Sequence, residues 1–381
     1  MDRLHIAFFG PTNSGKSTLV NALAGQQVSL VSPIPGTTTD PVRKPIELPG
    51  LGPCVLIDTA GLGDGSALGA ERERMTRAIL DETDIAVVLE APELSSMSPK
   101  DGHWQQKPGE NAVNVPDFGT LATLAGIPVI RYARGESVAS LLERLVAAAP
   151  REEQKYLTGS LVHAGSNVLL VMPQDSEAPK GRLILPQVQV LRELLDRGCV
   201  PHCCTPDSLP AALAGLRRTP DLVITDSQAF ALVDRTIPRD CPLTSFSVLL
   251  AGAKGDLGVF VEGARAIDAL RPGARVLIAE ACTHVPNTED IGRVKIPALL
   301  RRRAGDVAVD IAAGNDFPED LSPYSLIIHC GACVANARLV RTRIKKALRA
   351  GVPITNYGIA LAALTGILER ISLPTRRYSR G

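Results

Sequence analysis

The chain has 381 residues, a formal net charge of +1 and eight cysteines. That length suits two or three domains, each with its own core, and the near-balanced charge carries no polyanion footprint, so no nucleic-acid partner is expected. Aromatic residues are only 3% of the chain, which weakens any base-stacking role, no apolar run reaches a membrane span, and cysteines this scattered form no disulfide framework and so suit a reducing, cytoplasmic setting.

Leu4–Phe9 reads as a short apolar strand, too short for a secretory signal, and Gly10-Pro11-Thr12-Asn13-Ser14-Gly15-Lys16-Ser17 follows it at once. This is a full match to the phosphate-loop pattern, with the apolar helix Thr18–Ala24 behind it. Such a loop wraps phosphate oxygens in backbone amides, here from Gly10, Asn13, Ser14, Gly15, Lys16, Ser17 and Thr18. Lys16 reaches the terminal phosphates and Ser17 ligates magnesium. Next come the Gly-Thr run Pro35–Asp40 and the apolar Cys54–Ile57, which leads into Asp58-Thr59-Ala60-Gly61. That order is a GTPase's, so the nucleotide is expected to be GTP. Asp58 is placed to hold the magnesium water shell, Gly61 to offer its amide to the γ-phosphate, and Thr38 to close over the metal.

This stretch resembles the TrmE–Era–EngA group of translation-factor-class GTPases, in which an Asn at the position of Asn13 is associated with potassium-assisted hydrolysis. Leu62 follows the Asp-Thr-Ala-Gly run, so the water-orienting glutamine of Ras is missing, and the resemblance implies potassium in its place. The group's Asn-Lys-x-Asp guanine motif is also missing. The strand-like Ile127–Ile130 runs into Arg131-Tyr132-Ala133-Arg134-Gly135-Glu136, so either Glu136 replaces the specificity carboxylate or the nucleotide is held chiefly by its phosphates. A polar, Pro/Gly-punctuated loop from Ser95 to Asp117 precedes that strand.

Ser137–Ala149 reads as a closing amphipathic helix and Arg151–Lys155 as a charged linker. A smaller α/β unit follows, with strands at Val168–Met172 and Leu222–Thr225 and helices over Gln187–Arg197 and Ser227–Val233. Within it Cys199-Val200-Pro201-His202-Cys203-Cys204 has ligand chemistry, yet its alternation suits a short buried strand. The basic residues of Ala178–Gln189 read as a solvated turn or as an anion site before a helix. After the Gly-rich Ala251–Gly258, a third domain alternates strands at Arg275–Ala279, Val307–Ile311, Leu326–His329 and Pro353–Thr355 with helices at Ile291–Ala304, Val334–Ala350 and Ile359–Ile371. That pattern indicates a parallel sheet. Two of these strands end in Cys282-Thr283-His284 and His329-Cys330-Gly331-Ala332-Cys333, and ligands gather at the carboxyl ends of such strands. Thiolates select zinc, copper(I) or iron–sulfur clusters, and three cysteines with a histidine also suit a structural zinc.

The expected fold class is α/β: a P-loop GTPase domain over 1–152, a small α/β domain over 153–263 and a parallel-sheet metal-binding domain over 264–381. A phosphate-loop GTPase joined to Cys-x-His and then His-Cys-x-x-Cys resembles the FeFe-hydrogenase maturation GTPases. The resemblance extends over nearly the whole chain, including Asp175–Gln189, Ala279–His284, Glu289–Gly292 and Lys295–Pro297. It implies that the middle domain dimerises and that Cys282, Cys330 and Cys333 hold a 4Fe–4S cluster. It also implies a scaffold that works with two radical-SAM maturases and delivers a di-iron precursor to apo FeFe-hydrogenase. Three thiolates leave a fourth iron position, for which His284, His329, Glu289 and Asp290 are the candidates. Arg338, Arg341, Arg343, Lys345, Lys346 and Arg349 form a basic helical face, either solvated or docking an anionic precursor or partner, and the helix N-terminus near Val334 points at the metal. The competing readings are an RNA-modification or ribosome-associated GTPase with a structural zinc, and a non-catalytic metal-binding interaction protein.

Overall fold

A computed structural model describes residues 3–11, 14–25, 41–60, 75, 78–89, 120, 122–123, 125–133, 135–150, 156–174, 181–281, 290–314 and 316–374. The chain forms two compact units, Met1–Arg151 and Glu152–Gly381.

In the first unit strands β1 (Leu4–Phe9), β2 (Val42–Leu48), β3 (Gly52–Asp58), β4 (Ile85–Leu89) and β5 (Val129–Tyr132) form one sheet in the order β2-β3-β1-β4-β5. All pairs are parallel except β2 with β3. Successive side chains on a strand face opposite ways, so the central β1 must be apolar on both faces. Ile6 and Phe8 join Leu56, Val87, Leu141 and Leu145 on one face, while Ala7 and Phe9 join Ile57, Ile79 and Ala86 on the other. The edge strand β2 alternates between half-buried and exposed residues, as a strand with one solvated face should. The helix Val138–Ala148 starts where Ser137 accepts a hydrogen bond from Ser140 N.

The second unit holds two four-stranded sheets in which every pair is parallel. One is built from β6 (Asn167–Val171), β7 (Val200–Cys204), β8 (Leu222–Thr225) and β9 (Leu243–Ser245), and the other from β10 (Arg275–Glu280), β11 (Ala308–Ala313), β12 (Leu326–His329) and β13 (Ile354–Asn356). Their orders, β7-β6-β8-β9 and β11-β10-β12-β13, are one topology used twice. The sequence repeats with it. Pro242-Leu243-Thr244-Ser245-Phe246 and Pro353-Ile354-Thr355-Asn356-Tyr357 each end a strand and open a helix, whose first turn is capped by Ser245 in one case and Asn356 in the other. Leu250-Ala251 and Leu361-Ala362 then match, as do Gly255 and Gly366. One hydrophobic cluster runs through both sheets, joining Leu169 and Val223 to Val276 and Ile327.

Several expected boundaries move. The division at 263/264 falls inside the helix Leu257–Ala269, which lies so close to β13 that a Cβ on Gly263 would stand 2.0 Å from Ile354 O. The helix expected from Ile291 opens as a π-turn, Ile291–Lys295, before the α-helix Ile296–Ala304, because Pro297 has no N–H to give to the preceding turn. The helix expected at Val334–Ala350 begins at Ala337, where Asn336 accepts from Leu339 N. The one expected at Ile359–Ile371 is Tyr357–Leu364, ending before Gly366. Ser227–Val233 divides into a 3-10 turn, Ser227–Ala229, and the helix Phe230–Thr236. The linker Arg151–Lys155 and the loop Ser95–Asp117 lie outside the described residues.

Candidate nucleotide and metal sites

The phosphate loop joins β1 to the helix Lys16–Ala24. Gly10 is required by space, since a Cβ there would come within 2.9 Å of both Leu89 O and Ser14 Oγ. Gly15 is required by conformation, at φ 94°. Phe8 pairs with Asp58 across the sheet, so Asp58 ends its strand beside the loop. Thr59 Oγ1 donates to Phe8 O at 2.6 Å and ties the two strand ends together. Lys16 is buried, with Nζ donating to Gly10 O at 3.1 Å and Pro11 O at 2.8 Å. Burial lowers its pKa to about 8 against the opposing pull of the Asp58 carboxylate. Ser17 is half-buried and Thr18 exposed at the same helix start. Of the other residues expected here, Asn13, Thr38 and Gly61 lie outside the described residues.

A phosphate needs the lysine charged, so triphosphate binding should raise its pKa again and take up a proton where the free protein has begun to lose one. Affinity is therefore expected to be flat below pH 8 and to fall by up to about tenfold per unit above it. Calorimetry in buffers of different ionisation enthalpy would read the proton uptake at pH 8.5, and an affinity independent of pH from 7 to 9.5 would contradict it.

Glu136 is committed elsewhere. Its carboxylate accepts from Ser140 Oγ at 2.8 Å and from Arg144 at 3.0 and 3.1 Å, and the Ser140 bond leads the causes that hold its pKa below the usual carboxylate range. The expectation that Glu136 replaces the guanine-specificity carboxylate is corrected accordingly. Its oxygens brace the start of the helix Val138–Ala148.

In the second unit Cys330 and Cys333 lie just beyond β12, an interior strand. Cys330 Sγ accepts from Ala281 N at 3.1 Å and Ala332 N at 3.4 Å. Burial raises the Cys330 thiol pKa, while those two amides and Arg343 oppose the rise. Ala281 follows the end of β10, so the backbone meets the sulfur of Cys330 one residue before Cys282 in sequence. Cys282, His284 and Glu289 lie outside the described residues, and among the described residues no three potential metal ligands meet. Two thiols three residues apart, with amide donors aimed at one of them, fit a thiolate-bound metal, because N–H groups stabilise sulfur that carries negative charge.

His329 does not fit the fourth position it was expected to offer. It is buried, and Arg343, which can only donate, reaches its Nε2 at 3.2 Å. The ring proton therefore sits on Nδ1, which donates to Cys330 O at 2.8 Å. With both nitrogens engaged, burial first and then the Arg343 charge push its pKa down to about 3. Asp290 is likewise occupied, as the cap that accepts from Arg293 N at 2.7 Å. Arg343 leaves the expected basic face. It is only 2% exposed, donating to Glu280 O at 3.2 Å and to Gly314 O, and it stacks over the Phe317 ring at 5.0 Å. Arg338, Arg341 and Lys346 are half-buried, and Lys345 and Arg349 are exposed.

Sequence reasoning missed a residue from the first sheet's half. Lys254, buried at the end of the helix Phe246–Lys254, donates to Ala332 O at 2.7 Å, Ala335 O at 2.7 Å and Cys333 O at 3.3 Å. No local motif marks it. Its one signal is a lysine closing an otherwise apolar helix. The segment Cys199–Cys204 leads into the edge strand β7, Val200–Cys204, in which His202 Nε2 pairs with Asn167; the strand is half-buried to exposed and not buried as expected, because an edge strand is covered on fewer sides. Buried Cys54 and Cys241 have thiols pushed up to about 11, mainly by desolvation, which keeps them protonated.

Comparison with known proteins locates these sites in families. A model of the 50S ribosome-binding GTPase matches residues 5–111. Models of the hydrogen maturase F dimerization and tetramerization domains match 157–255 and 258–374. A tRNA modification GTPase MnmE from Methylobacterium sp. (strain 4-46) is 40% identical over 149 residues, 38% of this chain and 32% of that protein. The mitochondrial 5-taurinomethyluridine-[tRNA] synthase subunit GTPB3 of Homo sapiens is 44% identical over 97 residues, 25% of this chain and 20% of that one. The chain thus spans a third or less of the length of these curated relatives. A solved structure of Era with MgGDPNP and 16S ribosomal RNA nucleotides covers 56% of this chain and 98% of its own at 15% identity, with a TM-score of 0.28.

Proposed function

The chain belongs to the hydrogen maturase F family, whose two domain models together match more than half of it behind a P-loop GTPase domain, and on that premise we propose that it is a GTP-hydrolysing iron–sulfur scaffold. It would receive a di-iron precursor from radical-SAM maturases and deliver it to apo FeFe-hydrogenase. The observation that carries this reading is the thiol pair at the carboxyl edge of the second parallel sheet, with the Ala281 and Ala332 amides turned onto Cys330 Sγ.

Cys282, Cys330 and Cys333 would hold the 4Fe–4S cluster. Bound there, it would supply an electron-accepting centre with one iron open to exchange, with His284 and Glu289 left as the candidates for that position. On the nucleotide side, Lys16, Asp58 and Ser17 would hold the phosphates and magnesium of GTP. Thr38 would close over that magnesium, the Gly61 amide would meet the γ-phosphate, and Asn13 would hold potassium. Replacing potassium by sodium should then slow hydrolysis, and a rate indifferent to the cation would remove that role from Asn13.

Self-association has a natural seat on the first sheet of the second unit. Among the described residues β7 is an edge of its sheet, paired only with β6, and such an edge offers a backbone ladder to a further strand. Leu185, Val188 and Leu195 of the helix Leu185–Asp196 are exposed, as are Leu183 and Val200. An apolar row beside an open edge suits pairing with a second copy, and hence a homodimer.

The function is tested by loading. The protein expressed with the maturases and purified anaerobically should activate apo FeFe-hydrogenase, whereas protein expressed alone should not. Failure of the loaded protein to activate would contradict delivery. Zinc bound in place of iron would favour the tRNA-modification relatives, whose likeness is confined to a part of the chain.

A further inference from the structure

The loop from Cys330 to Asn336 is held from outside its own repeat. Lys254 closes the helix that follows β9, in the half whose sheet carries no cysteine pair of this spacing, and its ammonium donates to three carbonyls of this loop. A lysine at a helix end ordinarily extends its charge into water, and burying that charge is costly unless it is fully paired. This one is 3% exposed. The internal repeat does not require it. The matching position in the second half is Thr365, whose Oγ1 donates to Leu361 O of its own helix at 2.7 Å.

What the lysine holds is a strained turn. Ala332 has φ 51°, the one left-handed non-glycine residue among the described residues, a conformation that crowds Cβ against the backbone in an ordinary residue. Its two backbone polar groups are both in use, N–H on Cys330 Sγ and C=O on Lys254 Nζ. The carbonyl of Cys333 receives the same ammonium. Gly331, between the two cysteines, faces the first half: a Cβ there would stand at the ordinary contact distance of 3.7 Å from both Cys333 Sγ and Ser247 Oγ.

Resting on the iron–sulfur reading above, we propose that Lys254 is the positioning residue of the metal centre. It locks Cys330 and Cys333 into the turn that presents both sulfurs, and it keeps a fixed positive charge on the backbone carbonyls of that turn. A fixed cation stabilises the more negative, reduced form of an iron–sulfur centre and so raises its potential. Residues that support metal ligands in this way typically change metal retention by about 10–100-fold when removed.

The test uses the full-length chain, reconstituted anaerobically as wild type, Lys254→Met and Lys254→Arg, with melting curves to confirm folding. Release of iron to a chelator and the midpoint potential of the centre are the readouts. In Lys254→Met, release should accelerate at least about tenfold and the potential should move negative. Lys254→Arg keeps the charge and loses the three-point grip, so its potential should stay near wild type while release is faster. Adding Ala332→Gly to Lys254→Met should slow release again, since glycine holds φ 51° without strain. Should Lys254→Met fail to fold, Lys254→Arg decides: release as slow as wild type overturns the proposal. A folded Lys254→Met with wild-type release and potential overturns it too. A wild-type chain that takes up no iron overturns the underlying reading and the proposal with it.

Discussion

Lys16→Ala is expected to reduce GTP hydrolysis by a factor of about 10²–10³, the scale on which a preorganised charge at a reacting phosphate acts. Two features make the effect large. The ammonium is buried beneath the loop, already within 3.1 Å of Gly10 O and 2.8 Å of Pro11 O, so it is preorganised and needs only a short move to meet phosphate oxygens. Its neighbourhood also holds the Asp58 carboxylate, which must share the space with magnesium once nucleotide is bound. Iron content should be unchanged in the same variant, because Lys16 belongs to Met1–Arg151 and the thiols to Glu152–Gly381. Single-turnover hydrolysis and an iron assay on one preparation check both halves, and iron loss in step with activity would contradict the independence of the two sites.

The second large effect separates Cys330 from its neighbour His329. Cys330→Ala and Cys333→Ala should each abolish the cluster, since losing one sulfur leaves two thiolates and harder ligands. His329→Ala should keep iron and lose stability. The ring occupies the space between Arg343 and the Cys330 carbonyl, and removing it strands a buried guanidinium N–H and a half-buried acceptor, at about 1–3 kcal/mol. Iron per chain and the melting temperature distinguish the variants. A His329→Ala protein that melts like wild type but holds no iron would return the histidine to the ligand set.

The signals differ in how far they reach along the chain. The phosphate loop was legible because it is contiguous, one strand, one turn and one helix start, and each glycine answers a local demand of space or φ. The interior strands β6, β8, β10 and β12 were legible as apolar runs, since strands covered on two faces cannot alternate, whereas the three-residue β9 at Leu243–Ser245 was too short to give such a run. Arg343 was misplaced on a basic face although helical spacing could have corrected it: Val340, Arg343, Ile344 and Ala347 lie on one stripe, and that stripe is the buried one. The Lys254 grip was not legible, because its partners lie 78 to 81 residues away and backbone carbonyls leave no mark in a sequence. The doubled topology was written in Pro242–Phe246 and Pro353–Tyr357, but identical residues are few, and the likeness gains meaning only when both segments are seen to leave a strand and cap a helix.

Metal identity tests the scaffold reading most directly. The chain purified without oxygen and reconstituted with iron and sulfide should contain iron and acid-labile sulfide in equal amounts. It should give a reducible centre with an electron paramagnetic resonance signal that changes on adding imidazole or cyanide, as an exchangeable iron requires. Stoichiometric zinc with no sulfide would contradict it.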